Sequence, residues 1–229
     1  LGVARRADRL AALAAETGCD VLVVDVTDGD SVAAMVEHLE QLGPVHALVN
    51  NAGGAFGQDS IESGDVDEWR RMYEVNVIGV KRVITAVLPL LRRAVAPRDS
   101  ATIVNITSIA GHIAYEGGGG YNAAKFAAHA LTAVLRLELA GEPIRVVEIA
   151  PGMVKTDEFS LIRFAGDQAR ADKVYENVPA PLTAEDVAAE IVHACELAPH
   201  IDLDLVTIKP VAQAAPWKVM RGELVPRSE

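Results

Sequence analysis

The sequence predicts a single α/β domain built on a doubly wound parallel sheet. Segments with strand-like and helix-like patterns alternate along the chain. The strand segments are continuous apolar runs, which is typical of parallel sheets covered by helices on both faces. Half of the 229 residues are hydrophobic but only 4% are aromatic, so the core has to be built from Ala, Val, Leu and Ile. A chain of this length fits one domain, which we take as residues 1–229.

The first half of the chain contains two apolar strands and two helices. In order, these are a strand at Val21–Val26, a helix with Val32, Met35, Val36 and Leu39 on one face, a strand at Val45–Val49 and a long helix from Asp67 to Arg93. Gly43 and Pro44 end the first helix, because proline cannot continue it. Pro89 is expected to kink or locally break the long helix, since proline lacks a backbone N–H.

The second half continues the alternation and brings three segments to one edge of the sheet. The predicted elements are a strand at Thr102–Ile106, a helix from Tyr121 to Ala140, a strand at Ile144–Ile149, a helix that Thr183 caps and that runs through Leu197, and a strand at Leu203–Ile208. Segments containing Asn50, Ser108 and Pro151 lie at the carboxyl ends of strands. Doubly wound sheets bind ligands at this edge, so we expect the functional site there.

The charge and the composition exclude several classes of partner. The chain carries 32 acidic and 21 basic residues, a net charge of -11, and such a surface repels phosphate backbones, so no nucleic-acid partner is expected. No apolar run approaches the roughly 20 residues that cross a bilayer, so we expect no membrane partner and a cytoplasmic location. Cys19 and Cys195 have no metal or redox spacing. His112, His129 and the other histidines are expected to form no ligand cluster, so no metal site is predicted.

Tyr121 and Lys125 carry the main chemical signal. They are four residues apart on a predicted helix, so their side chains project from one face. A hydride-transfer enzyme needs a group that exchanges a proton with the substrate oxygen, and lowering the pKa of a phenol from near 10 to about 7 requires roughly 4 kcal/mol. One ammonium at about 5 Å supplies roughly 3 kcal/mol at an effective dielectric of about 20, and an oxidised nicotinamide ring would supply the rest. The spacing alone arises by chance with a probability of roughly 0.1, so other motifs have to decide.

Further motifs accompany this pair in a fixed order. Ser108 precedes Tyr121 by thirteen residues. The other motifs are Asp25 at a strand end, Asn50-Asn51-Ala52-Gly53, Asn76-Val-Ile-Gly79 and the segment Pro151–Thr156. With these motifs the sequence resembles the short-chain dehydrogenase/reductase family over essentially its whole length. The resemblance implies a Rossmann-like fold and a nicotinamide-dependent oxidoreductase.

The resemblance also implies a role for each catalytic residue. Tyr121 is expected to be the general acid/base, and Lys125 to lower its pKa and bind the nicotinamide ribose. Ser108 is expected to hydrogen-bond the substrate oxygen, and Asn76 to bend its helix and hold a water that links Lys125 to solvent. The alternative roles are structural, a cap for Ser108 and a helix kink for Asn76. The run Gly117–Gly120 is interpreted as a flexible turn that leads into the Tyr121 helix.

The cofactor expected from the resemblance is NADP, in preference to NAD. The opening residues Val3–Arg6 resemble the end of the family's second strand, where NAD-preferring enzymes carry an acidic residue. Arg5 and Arg6 instead suit the 2′-phosphate of NADP through charge-assisted hydrogen bonds. The alternative is two solvated arginines at the start of an amphipathic helix. The other expected cofactor contacts are Asp25, Val26, Asn50, Ala52, Gly53, Tyr121, Lys125, Pro151, Gly152, Val154 and Thr156.

The sequence departs from the family pattern at its beginning. The glycine-rich phosphate loop, the strand before it and the helix after it are absent from residues 1–229. In the strand order 3-2-1-4-5-6 that first strand is central, so its loss separates two neighbours by roughly 10 Å and leaves both with unpaired backbone groups. We therefore expect an N-terminal extension of roughly 30–45 residues in the native protein.

The substrate is expected to be a small hydroxy acid. Residues 153–182 are expected to form a substrate lid and residues 210–229 a C-terminal tail, and both are similar to those of NADP-dependent 3-hydroxy acid dehydrogenases of the serine dehydrogenase type. The resemblance implies substrates such as serine or 3-hydroxypropionate. Arg163 is the candidate to bind the carboxylate, unless it pairs with Asp167 one turn further on. The tail, with Trp217 in Val211–Val219, implies a homotetramer or a homodimer.

Two other functions remain open. A broad-specificity carbonyl or ketoacyl reductase would use the same catalytic residues on other substrates. A regulator would bind NADP without turnover, but such proteins commonly lose the tyrosine or the lysine, and this chain keeps both Tyr121 and Lys125.

Overall fold

The computed structural model describes residues 1–95 and 99–226, and its strands and helices alternate. The six parallel strands are β1 (Gly2–Ala4), β2 (Val21–Val23), β3 (Ala47–Asn50), β4 (Ala101–Ile106), β5 (Ile144–Pro151) and β6 (Leu205–Ile208). The helices between them are α1 (Ala7–Thr17), α2 (Gly29–Leu42), α3 (Val66–Tyr73), α4 (Gly79–Ala94), α5 (Gly119–Glu138), α6 (Phe159–Arg163), α7 (Gln168–Tyr175) and α8 (Ala184–Glu196). This arrangement confirms the predicted doubly wound, Rossmann-like fold.

The parallel strands form two separate sheets. Strands β3, β4, β5 and β6 pair in that order, whereas β1 pairs with β2 only. Within the described residues no backbone pairing joins β1 to β3. Val3 in β1 is 39% exposed and Val49 in β3 is 41% exposed, so both are edge strands.

Strands β4 and β5 form the centre of the larger sheet and are covered on both faces. Ile103 and Val146 pack in one core with residues of α2, α4 and α5, whereas Val104 and Val147 pack in another with residues of α8. The side chains of successive strand residues point to opposite faces, so neighbours in sequence enter different cores. This packing explains why both strands are continuous apolar runs.

The long helix predicted at 67–93 is interrupted at Asn76 rather than at Pro89. Helix α3 ends at Tyr73, residues Glu74–Ile78 form a π-helical turn, and α4 then runs through Pro89 to Ala94. The Asn76 amide donates to the carbonyl oxygen of Met72 at 2.7 Å. A side chain that donates to a backbone carbonyl in place of the i→i−4 backbone hydrogen bond is a recognised cause of such a break in a helix.

The C-terminal region contains elements that the sequence did not predict. The segment 153–182 carries the short helices α6 and α7 and is closed at its base by a bridge between Val154 and Leu182. The tail forms an antiparallel hairpin of β7 (Gln213–Ala215) and β8 (Lys218–Val219). Residues 227–229 of the expected tail lie outside the described residues.

Two further observations bear on the surroundings of the protein. Among the described residues, none of the helices combines the length and apolarity that crossing a membrane requires. Cys19 and Cys195 are both free thiols.

Candidate active site

Ser108, Tyr121 and Lys125 are brought to the carboxyl end of the larger sheet by β4 and α5. Ser108 follows β4 and caps the short turn Ile109–Gly111, and its hydroxyl lies 3.4 Å from the carbonyl oxygen of Pro151 at the end of β5. Tyr121 and Lys125 occupy the first two turns of α5, and both are buried. The Lys125 ammonium lies 5.8 Å from the centre of the Tyr121 ring and donates to the carbonyl oxygen of Ile106 at 3.1 Å.

Asn76 and Gly53 lie next to Lys125. The Asn76 amide donates to the carbonyl oxygen of Gly54 at 2.9 Å, and its oxygen accepts from the Gly54 N–H at 3.3 Å. Gly53 has no room for a side chain, since a Cβ there would lie 2.6 Å from Asn76 Oδ1 and 3.5 Å from Lys125 Nζ. The π-helical turn therefore brings Asn76 against the loop after β3 and near the lysine.

Burial dominates the acid–base properties of the tyrosine and the lysine. Burial raises the pKa of Tyr121, and the neighbouring Ser108 hydroxyl offsets only part of that rise. Burial also lowers the pKa of Lys125 to about 8, against an opposing effect of the Glu148 carboxylate. The protein's own groups thus favour a neutral phenol, because desolvation of the phenolate outweighs the hydrogen bond with Ser108 and the charge of Arg163. The lowering of this pKa expected from Lys125 stays a prediction.

The glycine run before Tyr121 acts through close packing as well as through turn geometry. Gly117 has a φ of +70°, as a turn requires, but α5 already begins at Gly119. A Cβ at Gly119 would lie 2.8 Å from the Trp69 ring, and one at Gly120 would meet the Met72 methyl group. The absence of side chains therefore lets α3 pack directly against the start of α5 and fixes the position of Tyr121.

Arg163, at the end of α6, points toward Tyr121. Its guanidinium carbon lies 5.9 Å from the centre of the Tyr121 ring and 5.8 Å from that of Tyr115. Its Nε donates to the carbonyl oxygen of Gly57 at 3.2 Å, whereas its buried Nη2 has no hydrogen-bond partner among the described residues. Among the described residues no ion pair joins Arg163 to Asp167, whose carboxylate caps α7 by accepting from the Arg170 N–H.

Arg5 and Arg6 lie between β1 and α1, at the end of the smaller sheet. Arg6 forms a bidentate ion pair with Glu158 of the predicted lid, with both N···O distances 2.5 Å. Arg9 reaches the same carboxylate at 3.3 Å. The arginine expected to meet the 2′-phosphate of NADP is therefore held next to an anionic group of the chain itself.

The predicted adenine-side residues Asp25 and Val26 lie after β2. The Asp25 carboxylate accepts from the hydroxyl and the N–H of Thr27, and these bonds hold its pKa below the usual value. The Val26 carbonyl oxygen accepts from Arg82 of α4 at 2.7 Å. Both residues are partly buried, so their local bonds fix the shape of this loop.

Asn50 acts within the fold. Its amide donates to the Asn105 side chain at 2.8 Å, and Asn105 donates in turn to the Thr132 hydroxyl at 3.0 Å. This buried chain of bonds ties β3, β4 and α5 together. Asn50 thereby places the exposed Ala52 and the neighbouring Gly53 at the strand ends.

The segment after β5 is fixed by the tail and by the base of the lid. Gly152 donates to the carbonyl oxygen of Ile208 at 2.7 Å, and the Met153 N–H donates to the side chain of Gln213 at 2.7 Å. The Val154 carbonyl oxygen accepts from the Tyr175 hydroxyl. The Thr156 hydroxyl accepts from the Phe159 N–H at 3.3 Å.

Sequence reasoning missed two residues of this site. Phe159 packs edge-to-face on Tyr121, with ring centres 5.9 Å apart, and the buried Gln213 holds the Met153 N–H. Phe159 begins α6 and Gln213 begins β7, but both elements are too short to leave a periodic pattern in the sequence. A polar glutamine in an otherwise apolar stretch of the tail is a weak hint that it has a buried partner.

The expectation that the histidines form no ligand cluster is wrong. His112 Nε2 lies 3.0 Å from Glu148 Oε1, and His129 Nδ1 lies 2.7 Å from Glu148 Oε2. The turn after β4, helix α5 and strand β5 bring the three residues together, although they are far apart in sequence. The signal that could have found the cluster is Glu148, a charged residue inside an apolar strand.

Comparison with known proteins agrees with this geometry. A model of the short chain dehydrogenase family matches residues 1–163. An uncharacterized oxidoreductase of Mycobacterium tuberculosis is 47% identical to this chain over 94% of the chain and 82% of that protein. A sulfoacetaldehyde reductase of Chromohalobacter salexigens is 38% identical over 92% of this chain and 83% of its own length. An NADP-dependent 3-hydroxy acid dehydrogenase of Salmonella typhi is 36% identical over 93% of this chain and 86% of its own length.

A solved structure gives the same result for the fold. The closed form of a serine dehydrogenase complexed with NADP+ superposes with a TM-score of 0.86 and 32% identity, over 99% of this chain and 88% of that one. The chain belongs to the short chain dehydrogenase family.

Proposed function

We propose that this protein is an NADP(H)-dependent dehydrogenase of small 3-hydroxy acids. The observation that carries the substrate class is the buried Arg163 Nη2, which has no hydrogen-bond partner among the described residues and belongs to a guanidinium 5.9 Å from the Tyr121 ring. A buried donor of a charged group that lacks a partner is costly. An anionic group of the substrate would satisfy it next to the catalytic hydroxyl.

Tyr121 is the proton-exchanging group in this proposal. When a carbonyl substrate is reduced, the buried phenol donates its proton to the carbonyl oxygen, and when an alcohol is oxidised the proton returns. Ser108, at the end of β4, is placed to hydrogen-bond the same oxygen. The bound cofactor supplies or accepts the hydride.

Lys125 supports the tyrosine through its charge. Because burial lowers its pKa only to about 8, the ammonium remains the major form at neutral pH. A cation 5.8 Å from the phenol ring favours the phenolate that forms as the proton leaves. Asn76 and Gly53, which border the lysine, keep its surroundings polar and closely packed.

The residues at the sheet edge fit NADP. Arg5 and Arg6 supply two cations for the 2′-phosphate, Asp25 and Val26 lie after β2 for the adenine side, and Lys125 reaches the ribose in the family pattern. Gly53 offers bare backbone for the close approach of a cofactor, and it lies beside Asn76 and Lys125. We assign the remaining contacts to Asn50, Ala52, Pro151, Gly152, Val154 and Thr156.

A second candidate is the reduction of a small sulfonated aldehyde. The relative from Chromohalobacter salexigens is a sulfoacetaldehyde reductase and is 38% identical to this chain. A sulfonate is an anion that the same Arg163 guanidinium would bind. A broad carbonyl or ketoacyl reductase would not need this cation, and a regulator that only binds NADP would not need Tyr121.

The test is to offer the protein a panel of substrates and to measure turnover of each by the absorbance of NADPH. The proposal expects turnover of serine or 3-hydroxypropionate with NADP, whereas turnover of sulfoacetaldehyde alone favours the second candidate. Turnover of neutral carbonyls alone indicates the broad reductase, and NADPH binding without turnover indicates the regulator. Tyr121→Phe should lose turnover and keep NADPH binding, so activity retained in that variant would refute the mechanism.

Arg163→Gln tests the anion site directly. Losing a charge-assisted hydrogen bond of about 1.5–3 kcal/mol should lower kcat/KM for anionic substrates by about 10- to 150-fold. A neutral carbonyl substrate should be affected far less. Arg170→Gln is the matched control, because Arg170 lies in the same segment but stacks on Phe164 at 4.4 Å. Equal losses for charged and neutral substrates would contradict this role.

The lid, the tail and the assembly are parts of the same proposal. Arg163 on α6 supports a substrate lid at about 153–182 within one domain of 1–229. The tail at about 210–229 exposes Val211 (93%) and Trp217 (66%), and such exposed apolar groups support contact with another subunit. We propose a homotetramer, to be checked by light scattering after gel filtration, with a homodimer as the alternative. A cytoplasmic location stays a prediction.

A further inference from the structure

We propose that His112, His129 and Glu148 form a binding site for a divalent transition-metal ion of the Zn²⁺ type. The three residues lie on the turn after β4, on α5 and on β5. Each offers a nitrogen or oxygen ligand atom, and all three ligand atoms lie within 4.8 Å of one another. The site is separate from the residues proposed to bind substrate and cofactor, so its test does not depend on the proposed function.

The distances between the ligand atoms fit a small metal ion. His112 Nε2 lies 3.0 Å from one carboxylate oxygen of Glu148, and His129 Nδ1 lies 2.7 Å from the other. Two ligands bound tetrahedrally at about 2.0–2.1 Å from zinc are about 3.3 Å apart. With one Glu148 oxygen as ligand, the three ligand atoms lie within 4.8 Å of one another, so shifts of at most about 1.5 Å, the difference between 4.8 and 3.3 Å, would bring them to that spacing. The ion would replace the hydrogens that now lie between each imidazole and the carboxylate.

The two imidazoles approach the two oxygens of one carboxylate. Their ring centres are 4.3 Å apart with an interplanar angle of 62°, so they meet edge-to-face rather than in a parallel stack. In this arrangement the nitrogens of both rings aim at the same carboxylate from different directions. Two histidines and one glutamate are a ligand set that zinc uses in sites with one open coordination position.

Glu148 is held as a metal ligand would be. Its side chain is buried in β5, and the Thr107 hydroxyl donates to its Oε1 at 2.6 Å. Hydrogen bonds of this kind fix the orientation of a ligating carboxylate and are typical of the outer shell of metal sites. The buried negative charge also favours a cation, because an ionised carboxylate in the interior needs a counter-charge.

The histidines leave a route for the ion to enter. The His112 side chain is 23% exposed and that of His129 is 38% exposed, whereas Glu148 is 2% exposed. The carboxylate therefore forms the floor of the site and the imidazoles its rim. The open side provides the fourth position, which a water molecule would fill.

A bound ion would join three elements of the catalytic machinery. His112 follows the turn that begins at Ser108, and His129 lies one turn of α5 beyond Lys125. The ion would cross-link these two elements to β5, whose last residue is Pro151. Binding to the folded state alone stabilises that state, so the ion should raise the melting temperature.

The experiment is metal titration of the chelator-treated, full-length protein prepared without a polyhistidine tag. Zn²⁺ binding is measured by calorimetry, and Co²⁺ binding by the visible absorption of a tetrahedral complex. We expect one ion per chain, an intense Co²⁺ spectrum and a higher melting temperature. His112→Gln and His129→Gln should each lose the spectrum and weaken Zn²⁺ binding by more than about 100-fold, beyond the loss typical of an outer-shell change.

Two further variants separate this site from weak surface binding. His193→Gln removes an exposed histidine of α8 and should bind like the wild type. Thr107→Val should weaken Zn²⁺ by about 10- to 100-fold, as loss of an outer-shell bond does. Circular dichroism confirms folding, and if one histidine variant is unfolded the other decides. The proposal is overturned if folded His112→Gln or His129→Gln binds as tightly as His193→Gln, or if wild type gives no tetrahedral Co²⁺ spectrum.

Discussion

Replacing Gly111 by alanine should slow turnover by moving Ser108 away from the Tyr121–Lys125 helix. Gly111 ends the short turn that Ser108 caps, and it packs against the backbone of α5. A Cβ at this position would lie 2.7 Å from the carbonyl oxygen of Lys125 and 3.0 Å from its carbonyl carbon. Both are backbone atoms, so the contact cannot be relieved by a side-chain rotation.

The size of the effect follows from these distances. Ordinary contact begins at 3.4 Å, so the turn and α5 must separate by about 0.7 Å, the difference between 3.4 and 2.7 Å. Overpacking of this kind typically costs about 1–3 kcal/mol of stability. A misplacement approaching 1 Å can cost about 100-fold in rate, so we expect kcat to fall by about 10- to 100-fold. The unfolding free energy should fall by about 1–3 kcal/mol.

Steady-state kinetics and urea unfolding measure the two effects. Gly29→Ala is the matched control, because Gly29 begins α2 and a Cβ there meets nothing within 4 Å. The control should keep wild-type kcat and change stability by less than about 0.5 kcal/mol. A Gly111→Ala enzyme with kcat within about twofold of wild type would show that the spacing of turn and helix does not limit the reaction.

Three other changes test the ionisable groups and the tail. Burial lowers the pKa of Lys125 from 10.5 to about 8, so between about pH 8 and pH 10.5 the unfolded chain binds more protons than the folded protein. The free energy of unfolding, from urea series, should therefore rise across that window by up to about 3 kcal/mol in wild type, but not in Lys125→Met. Glu158→Gln removes the carboxylate that pairs with Arg6, so fluorescence titration should show tighter NADPH binding and unchanged NADH binding. Asp157→Asn, at an exposed position, is the control. Equal effects on both cofactors would contradict the assignment of Arg6 to the 2′-phosphate. Gln213→Ala leaves the Met153 N–H without its 2.7 Å partner, and thermal or urea unfolding should show a loss of about 1–3 kcal/mol.

The positions of the candidate catalytic residues could be predicted because local geometry places them, whereas their roles were implied by the family resemblance. Tyr121 and Lys125 share a helix face through their spacing of four, and Ser108 follows an apolar strand that had to end at the ligand-binding edge. Neither inference needs a tertiary contact. The strands and helices were predicted for the same reason, since burial on both sheet faces leaves continuous apolar runs in sequence.

The features that the sequence did not reveal depend on contacts between distant elements. Asn76 was expected to bend its helix, but the sequence did not reveal the π-helical form of the break, in which the Asn76 amide donates to the Met72 carbonyl and also to that of Gly54, a residue of the loop after β3. The histidine cluster arises because parallel pairing of β4 with β5 sets Asn105 opposite Glu148, which brings the carboxylate beneath α5 and the turn after β4. The spacing of residues in the sequence carries no information about such tertiary contacts.

The anchoring of the segment after β5 couples substrate choice to proton transfer through Arg163. Gly152 and Met153 are bonded to β6 and to the tail, and the backbone N–H of Lys155 donates to the carbonyl oxygen of Leu182 at 2.7 Å. Arg163 lies between these two anchored ends and forms two hydrogen bonds with Gly57. The Gly57 N–H donates to the Arg163 carbonyl oxygen, and the Arg163 Nε donates to the Gly57 carbonyl oxygen. Tyr121 depends on α5 and its packing against α3, and it also contacts Phe159 of the lid. The charge of Arg163 lowers the pKa of Tyr121. Arg163→Gln should therefore alter which anion is accepted and also shift the Tyr121-dependent limb of the kcat–pH profile to higher pH, whereas an unshifted limb would show that the lid does not influence proton transfer.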